Sequence, residues 1–416
     1  MAIMAIMGNQ VDRFDVGIVG NGAIGKTAAL ALSQAGFKVA LIGATANSTN
    51  SGNGARLSEH REHWDVRVFA LNHVAFDLLD KLKVWGALDA ARIAPITDMA
   101  VFDAAEKADG QLEFDAYGAY IEQLAWIVED QNIGQALDAA LRFAPNIEMI
   151  TGQLKALDVR ADAALLELNG GRRVEVGLVI GADGAQSWVR NQCDIGLDYR
   201  AYGQRGVVTN FECEKPHLGI ARQWFVQEQG IIALLPLPGN RVSLVWSAPD
   251  DLADQILREP LDALVQRLHP FVNSSLGQLK PLLPEDIKAF KLQLIKPHSM
   301  IADRVVLMGD AAHVVHPLAG HGMNLGFGDV AALLKLLPDA HTGLDGRVDL
   351  GDARLLARYQ RARREEVLLM QVMTDSLARL FGSDLEPLRF ARNLGMNLLN
   401  RLPMLKRQLI RHAMGK

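Results

Sequence analysis

An apolar run from Phe14 to Val19 feeds directly into Gly20-Asn-Gly22-Ala-Ile-Gly25, and the alanine-rich stretch Lys26 to Gln34 follows. No other feature constrains the fold as tightly. A strand that ends in glycines and opens a helix predicts a compact βαβ unit, completed here by the second apolar run Phe37 to Ile42. Each glycine has a physical reason at this spacing. The first permits a tight turn, the second lets a pyrophosphate approach the backbone, and the third lets helix pack on strand. The N–H groups and positive dipole end at the helix start suit an anion. The same letters also satisfy the phosphate-loop pattern GxxxxGK[ST], with Lys26 for the phosphates and Thr27 for magnesium. A nucleotide triphosphatase therefore stands beside the dinucleotide reading. Gly22 is optional for the first and required for the second.

Two later segments bear on that choice. Val179-Ile-Gly181-Ala-Asp183-Gly184 brings an Asp-Gly pair to the end of an apolar run, a pattern that by itself also suits a simple turn. Arg304 to Gly326 begins as a buried strand, ends it in Gly309-Asp310, and continues through His313, His316, Pro317, Gly320, Gly322 and Asn324 into a helix. Asp310 is thereby expected at a strand's carboxyl end, where α/β folds place ligands. The glycine-rich backbone at the helix start suits a delocalised anion. The spacing of His313, His316 and His321 fits no standard zinc set.

Between these segments, helical spacing is expected over Val74 to Leu88 and Ile133 to Leu141. Strand character is expected for Met99 to Phe114, Leu165 to Leu168 and Val174 to Ile180. Ile231 to Leu237 and Arg241 to Trp246 alternate as in an antiparallel sheet. The tail from Ala353 reads as helical. The 416 residues carry 43 basic and 48 acidic side chains, a net charge of −5 that argues against a nucleic-acid binder. Cys193 and Cys213 are too few for a disulfide framework and suit a reducing cytoplasm. No apolar run reaches the ~18 residues that span a bilayer. The Met-Ala-Ile repeat at the N-terminus lacks the basic region of a signal peptide.

The order GxGxxG, GADG, GDAAH and PLAG resembles the single-component FAD-dependent aromatic hydroxylases, typified by p-hydroxybenzoate hydroxylase. The resemblance runs from about Phe14 to Gly415. Asp65-Val-Arg67, Ile127-Val128-Glu129, Tyr202-Gly203-Gln204, Pro216-His217 and Ser243-Leu-Val-Trp246 narrow it to the ubiquinone-biosynthesis branch. It implies an α/β Rossmann-like FAD-binding domain (14–75, 120–190 and 296–345). A sheet-rich substrate domain (76–119 and 191–295) interrupts it, and a helical C-terminal region (346–416) follows. It also implies FAD as cofactor, NAD(P)H as electron donor, and dioxygen and a polyprenyl phenol as substrates. Gly20, Gly22 and Gly25 are then expected at the FAD pyrophosphate and Arg67 near the flavin. Asp183 and Gly184 serve FAD and NAD(P)H, Asp310 a ribityl hydroxyl, and Pro317, Gly320, Gly322 and Asn324 the isoalloxazine ring. No catalytic acid or base is identified.

Three departures from the family pattern stand out. Gly43 follows the second strand where the family carries an acid for the adenosine ribose, Gln131 replaces a frequent arginine, and His321 replaces glutamine. They keep open a flavin-binding but non-catalytic subunit of a quinone-biosynthesis complex, beside the triphosphatase. The stretch 386–416 carries seven lysines and arginines against Glu386 alone, with leucines at helical spacing. It suits a docked helix with a solvated basic face. It also suits contact with an acidic partner or with anionic lipid, at the inner face of the membrane, for a cytoplasmic enzyme whose substrate has a polyprenyl tail.

Overall fold

A computed structural model describes residues 11–43, 64–103, 110–283, 287–316, 321–337 and 349–381, with Lys406, Arg407 and Ile410. The chain begins β1 (Val11–Val19), α1 (Ala23–Gln34), β2 (Val39–Gly43), then β3 (Val68–Leu71), α2 (His73–Lys81), β4 (Ile93–Ile96), β5 (Asp98–Asp103) and β6 (Gly110–Asp115). There follow β7 (Ala125–Glu129), α3 (Asp130–Arg142), β8 (Ile147–Thr151), β9 (Leu154–Val159), β10 (Ala164–Leu168), β11 (Arg173–Gly181) and α4 (Trp188–Gln192). Next are β12 (Leu197–Cys213), β13 (Ile220–Val226), β14 (Gly230–Leu237), β15 (Arg241–Pro249), α5 (Asp250–Arg258), α6 (Leu261–Val272), β16 (Leu279–Pro281) and β17 (Lys288–Pro297). The described elements close with β18 (Ile301–Ala302), β19 (Val305–Leu307), α7 (His321–Leu336) and α8 (Ala353–Phe381).

The first sheet runs β18-β19-β11-β1-β2-β8, with β10 and β9 added beside β11. Its central strands are parallel, as in Ile18 opposite Ile180 and Ile180 opposite Val306. Val16, Ile18, Leu41, Leu178 and Val306 are fully buried in one core with α1, α7 and Leu166 of β10, which is why these strands read as continuous apolar runs. The order β19-β11-β1 sets the carboxyl ends of the three motif strands side by side. Ala182 N–H donates to Val19 O, and Met308 N–H to Gly181 O.

The second sheet runs β16-β12-β15-β14-β13-β5-β6, with β17 on β12. One face packs Val207, Ile232, Leu244 and Trp246 against Ala253, Ile256, Leu264 and Leu268 of α5 and α6. Those two helices were not suggested by the alternation of this region. The opposite face carries the cross-strand row Val208, Val245, Ala233, Gln223, Val101 and Leu112. That face is turned toward the three-stranded sheet β3-β7-β4. Leu235, Leu237 and Ala221 pack with Ala94, Ile96 and Ile127, and Asn210 Nδ2 donates to Asp65 O.

The helix expected over Val74 to Leu88 ends at Lys81. Lys83 takes a left-handed backbone with φ +62°, and Leu82, Val84 and Leu88 bury in the first core without continuing the helix. Their apolar spacing reflects burial, not helical geometry. Residues 382–405 of the tail lie outside the described residues. Lys406, Arg407 and Ile410 dock on the corner after β6: Arg407 Nε donates to Gly118 O at 2.7 Å, and Ile410 packs with Ala119.

Candidate active site

The glycine turn has the crowding its spacing demands. Gly20 has φ +112°, and a Cβ there would stand 2.2 Å from Ala182 O. A Cβ on Gly25 would stand 1.9 Å from Gly20 O, so both positions exclude any side chain. Gly22 faces open space, where a Cβ would meet nothing within 4 Å, and it caps α1 without a side-chain hydrogen bond. The first amides of α1 therefore point at an open surface, the arrangement that receives a pyrophosphate.

Lys26 and Thr27 decide between the two readings of this turn. Lys26 Nζ pairs with Asp138 of α3 at 2.5 Å. Thr27 is fully buried and its hydroxyl donates to Ala23 O at 2.7 Å. Neither group is presented to a phosphate or a metal, so the phosphate-loop reading is overturned. The letters fit, but Lys26 is drawn to α3 and Thr27 to the backbone of its own helix.

The three motif segments meet on one another. Ile24 of the first turn packs against Gly309 and Gly326, where Cβ atoms would lie 3.3 Å and 2.7 Å from its side chain. Asp183 Oδ2 accepts from Val189 N–H at 3.0 Å, while its buried Oδ1 has no partner. Gly184 has φ +83° beside open space. Ser187 caps the short helix α4, and buried Arg190 joins the second motif to the third by donating to Ala185 O and Ala311 O.

Asp310 follows β19, and solvent reaches its side chain. Protein nevertheless crowds it, and that desolvation raises its carboxyl above the ordinary range, against the opposing charges of His313 and Arg67. Arg67 thus contributes to the same field, with its own Nη1 3.5 Å from Asp130. Behind Asp310 lies an ion cluster that the sequence did not single out. Fully buried Asp329 accepts from Gly309 N–H at 2.9 Å, His313 Nε2 at 2.7 Å and Arg363 Nε at 2.7 Å. Burial alone would raise its carboxyl, but His313 and Arg363 outweigh that and lower it. The one available signal was a lone acid inside the apolar run of α7.

Gly322 faces open space at the start of α7, while Pro317 and Gly320 lie outside the described residues. Asn324 lies in the first turn of α7 with its side-chain amide turned to neighbouring backbone. Its Oδ1 accepts from Asn72 N–H and its Nδ2 donates to Ala70 O, fastening α7 to β3 and α2. His316 packs against β12 of the second sheet. Its Nε2 lies 3.3 Å from Gln204 Oε1, its ring meets Tyr202 edge-on, and burial pushes its pKa down to about 4 despite Asp375.

Asp65, which opens the family stretch Asp65-Val-Arg67, is a second node, and the stretch did not reveal what it joins. Its N–H donates to Glu129 Oε1 and its carbonyl accepts from Asn210. Its carboxylate accepts the N–H groups of Arg67 and Gln131. Glu129 is itself buried and paired with Arg92 at 2.6 Å. At Gly43 the space for a side chain is filled by Asn21, whose Cγ would stand 2.5 Å from a Cβ there.

An open helix start for a pyrophosphate, a solvent-reached carboxylate for a diol, and the Arg67 guanidinium near it at the edge of a parallel sheet together fit FAD. A family model described as an FAD binding domain matches residues 13–373. The chain belongs to the FAD-dependent aromatic monooxygenases. Ubiquinone hydroxylase UbiL of Rhodospirillum rubrum is 35% identical, with 96% of this chain and 89% of that protein covered. The 3-demethoxyubiquinol 3-hydroxylase of Escherichia coli is 33% identical over 96% of this chain and 98% of its own. Among solved structures, p-nitrophenol 4-monooxygenase PnpA of Pseudomonas putida shares the fold with a TM-score of 0.75 at 18% identity, covering 96% of this chain and 97% of that one. Among the described residues, no helix of this monooxygenase is long and apolar enough to cross a membrane.

Proposed function

We propose that this monooxygenase hydroxylates the aromatic ring of a polyprenyl phenol precursor in ubiquinone biosynthesis, using NAD(P)H and dioxygen. The observation that carries the reading is the near full-length match to two ubiquinone hydroxylases. The row Val208, Val245, Ala233, Gln223, Val101 and Leu112, apolar except for Gln223, on the sheet face opposite α5 and α6 supports it, because an isoprenoid-bearing ring needs a desolvated wall.

In this reading residues 14–75, 120–190 and 296–345 form the cofactor unit, and 76–119 and 191–295 the substrate unit. The α1 amides behind Gly20, Gly22 and Gly25 hold the FAD pyrophosphate. Asp310 accepts a ribityl hydroxyl, and Arg67 adds positive charge near the flavin. Asp183 and Gly184 border the same edge. The backbone at Pro317, Gly320, Gly322 and Asn324 borders the isoalloxazine, with the Asn324 amide fastening α7 to β3 and α2. Bound FAD supplies the redox and oxygen chemistry, taking electrons from NAD(P)H. The chain's own part is to bind, orient and exclude water. His316 is neutral near pH 7 and presents to Tyr202 and Gln204 a polar group without a charge.

Lipid extraction from a deletion strain tests this reading. A quinone precursor lacking one ring hydroxyl should accumulate, and it should disappear when the gene is restored. Normal ubiquinone in the deletion strain would refute the proposal. With the pure protein, phenol-stimulated NAD(P)H oxidation that consumes dioxygen and yields hydroxylated product excludes a non-catalytic flavin-binding subunit.

A further inference from the structure

One polar residue interrupts the apolar row on the sheet face opposite α5 and α6. Gln223 of β13 stands there between Ala233 of β14 and Val101 of β5. Ala221 lies two residues before it and Phe225 two residues after it, on the same face of the strand. Ala221 packs with Ala94, Ile96 and Ile127 of the three-stranded sheet, and Phe225 packs with Val101 and Ile231. An apolar cluster therefore borders Gln223 on each side. Gln223 is itself buried, with 6% of its surface exposed. Its side-chain amide hydrogen-bonds no other group among the described residues. Buried amides are nearly always paired, and leucine would fill the same row at no polar cost.

The other polar groups on this face are placed differently. Asn210 Nδ2 donates to Asp65 O, while Asn210 Oδ1 and Ser243 Oγ are sealed from solvent. A molecule lying on the sheet reaches neither sealed atom. The Gln223 amide is not sealed in this way. Ser247, opposite Ile231 in the next row, presents only a short hydroxyl. The row also lies on the cofactor's side of the sheet. Ala221 shares its cluster with Val68 and Ala70 of β3, and Ala70 O accepts from Asn324 Nδ2 in the first turn of α7. Gln223 is thus joined through Ala221 and Ala70 to the helix start that the proposed reading gives to the isoalloxazine.

An amide presents an acceptor, Oε1, and a donor, Nε2–H, in one plane. A phenol with a second oxygen on the adjacent ring carbon presents the complementary pair. Its O–H donates to Oε1, and the second oxygen accepts from Nε2–H. We infer that Gln223 selects the substrate by binding this pair, holding a ring oxygenated at two adjacent carbons against the apolar row. A ring without the second oxygen covers the amide and strands its donor, which is the arrangement that discriminates most strongly between similar molecules. This inference rests on the phenol reading above and adds to it the residue that reads the ring.

Two phenols of nearly equal size test it with the full-length, FAD-loaded protein. Both carry a single prenyl group at one ortho position; one has methoxy and the other ethyl at the second. Wild-type kcat/KM, measured as dioxygen-dependent formation of hydroxylated product, should favour the methoxy phenol by roughly 10- to 100-fold. Gln223→Leu should lose that preference through a fall with the methoxy phenol. Gln223→Glu keeps the shape and the acceptors but has no donor when ionised, so it should lose the preference too. Dissociation constants, read from the perturbation of flavin absorption by each phenol, should change in the same direction. Melting temperature and the visible flavin spectrum identify folded, loaded variants, and Gln223→Met takes the place of Gln223→Leu should that variant not fold. Equal use of the two phenols by wild type, or a preference that survives in the folded variants, would overturn the role of Gln223. If neither phenol is hydroxylated or perturbs the flavin, the phenol reading itself fails and the role of Gln223 falls with it.

Discussion

Asp310 reaches solvent at the end of β19, so its removal should leave folding intact while withdrawing an acceptor from the ribityl chain. Asp310→Ala is expected to lose FAD affinity by about 10- to 100-fold, the ~1.5–3 kcal/mol of a hydrogen bond to a charged group. Flavin fluorescence on dilution measures this, and retention of tightly bound FAD would remove Asp310 from the site. Lys26→Ala makes the opposite prediction. The ion pair with Asp138 is partly exposed and worth up to about 1 kcal/mol, so FAD content should be unchanged and the melting temperature nearly so. His316 gives a pH signature. Its pKa is lowered from 6.5 to about 4, with burial as the cause. The unfolded chain therefore takes up a proton as pH falls through 6.5, while the folded chain resists until about 4. Stability on this account is complete above pH 6.5 and declines below it, by roughly 3 kcal/mol in all. Denaturant titrations between pH 7 and 4 should show that slope flattened in His316→Asn, and an unchanged slope would refute the assignment. At this scale the glycines were the most legible residues, because backbone crowding leaves no other choice at Gly20 and Gly25. The amide of Asn324 was not, because a polar side chain at a helix start serves a ligand or a neighbouring backbone equally well.

Helix α8 owes its place to charge as much as to apolar packing. Arg363 enters the core to meet Asp329 of α7, donates also to Leu325 O, and pairs at its rim with Glu366; Tyr359 donates to Leu307 O of β19. The element thereby backs the strand that ends in Gly309-Asp310. Removing one partner leaves a buried charge uncompensated, at a cost of about 3–5 kcal/mol. Arg363→Met should lower the melting temperature by on the order of 10 °C. Replacing both partners, as in Asp329→Leu with Arg363→Met, should recover part of the loss, because an apolar pair has no charge to strand. If the double variant is less stable than Arg363→Met, the cluster stabilises through its hydrogen bonds to Gly309 and His313 and not through charge balance. The sequence carried α8 plainly as a helix, but Arg363 sits among Arg358, Arg361 and Arg364. A basic run looks like a solvated face unless the acid it meets, 34 residues away, is known. Helices α5 and α6 were less visible among strands. Leu261, Leu264, Leu268 and Val272 do have helical spacing, and Pro249 and Pro260 stand at the N-caps of the two helices, but the strand alternation on the N-terminal side dominates the reading of this region.

Across the whole molecule, the short segment Trp64 to Arg67 ties the parallel sheet's unit to the second sheet. Trp64 lies between the guanidinium groups of Arg92 and Arg241, at 4.4 Å and 5.1 Å, and all four polar atoms of Asp65 are engaged. The order of the three motifs made the first unit legible, since it follows from adjacent parallel strands. Residues more than sixty positions apart meet at Asp65, and no local pattern announces such a meeting. The two sides of this node predict two different phenotypes. Asp65→Ala removes the acceptors that fix the Arg67 and Gln131 backbone, so it should release FAD faster. One or two hydrogen bonds at ~0.5–1.5 kcal/mol each correspond to roughly 10-fold. Asn210→Ala leaves that carboxylate in place and cuts only the link from β12 to Asp65 O. Its FAD should be held as in wild type. Phenol-stimulated NAD(P)H oxidation should instead fall toward the unstimulated rate, because occupancy of the sheet face no longer bears on the segment that carries Arg67. Flavin release on dilution and the ratio of stimulated to unstimulated oxidation measure the two effects separately. If Asn210→Ala loses FAD as fast as Asp65→Ala, the segment is a single structural strap, and the cofactor side and the substrate side are not separable at this node.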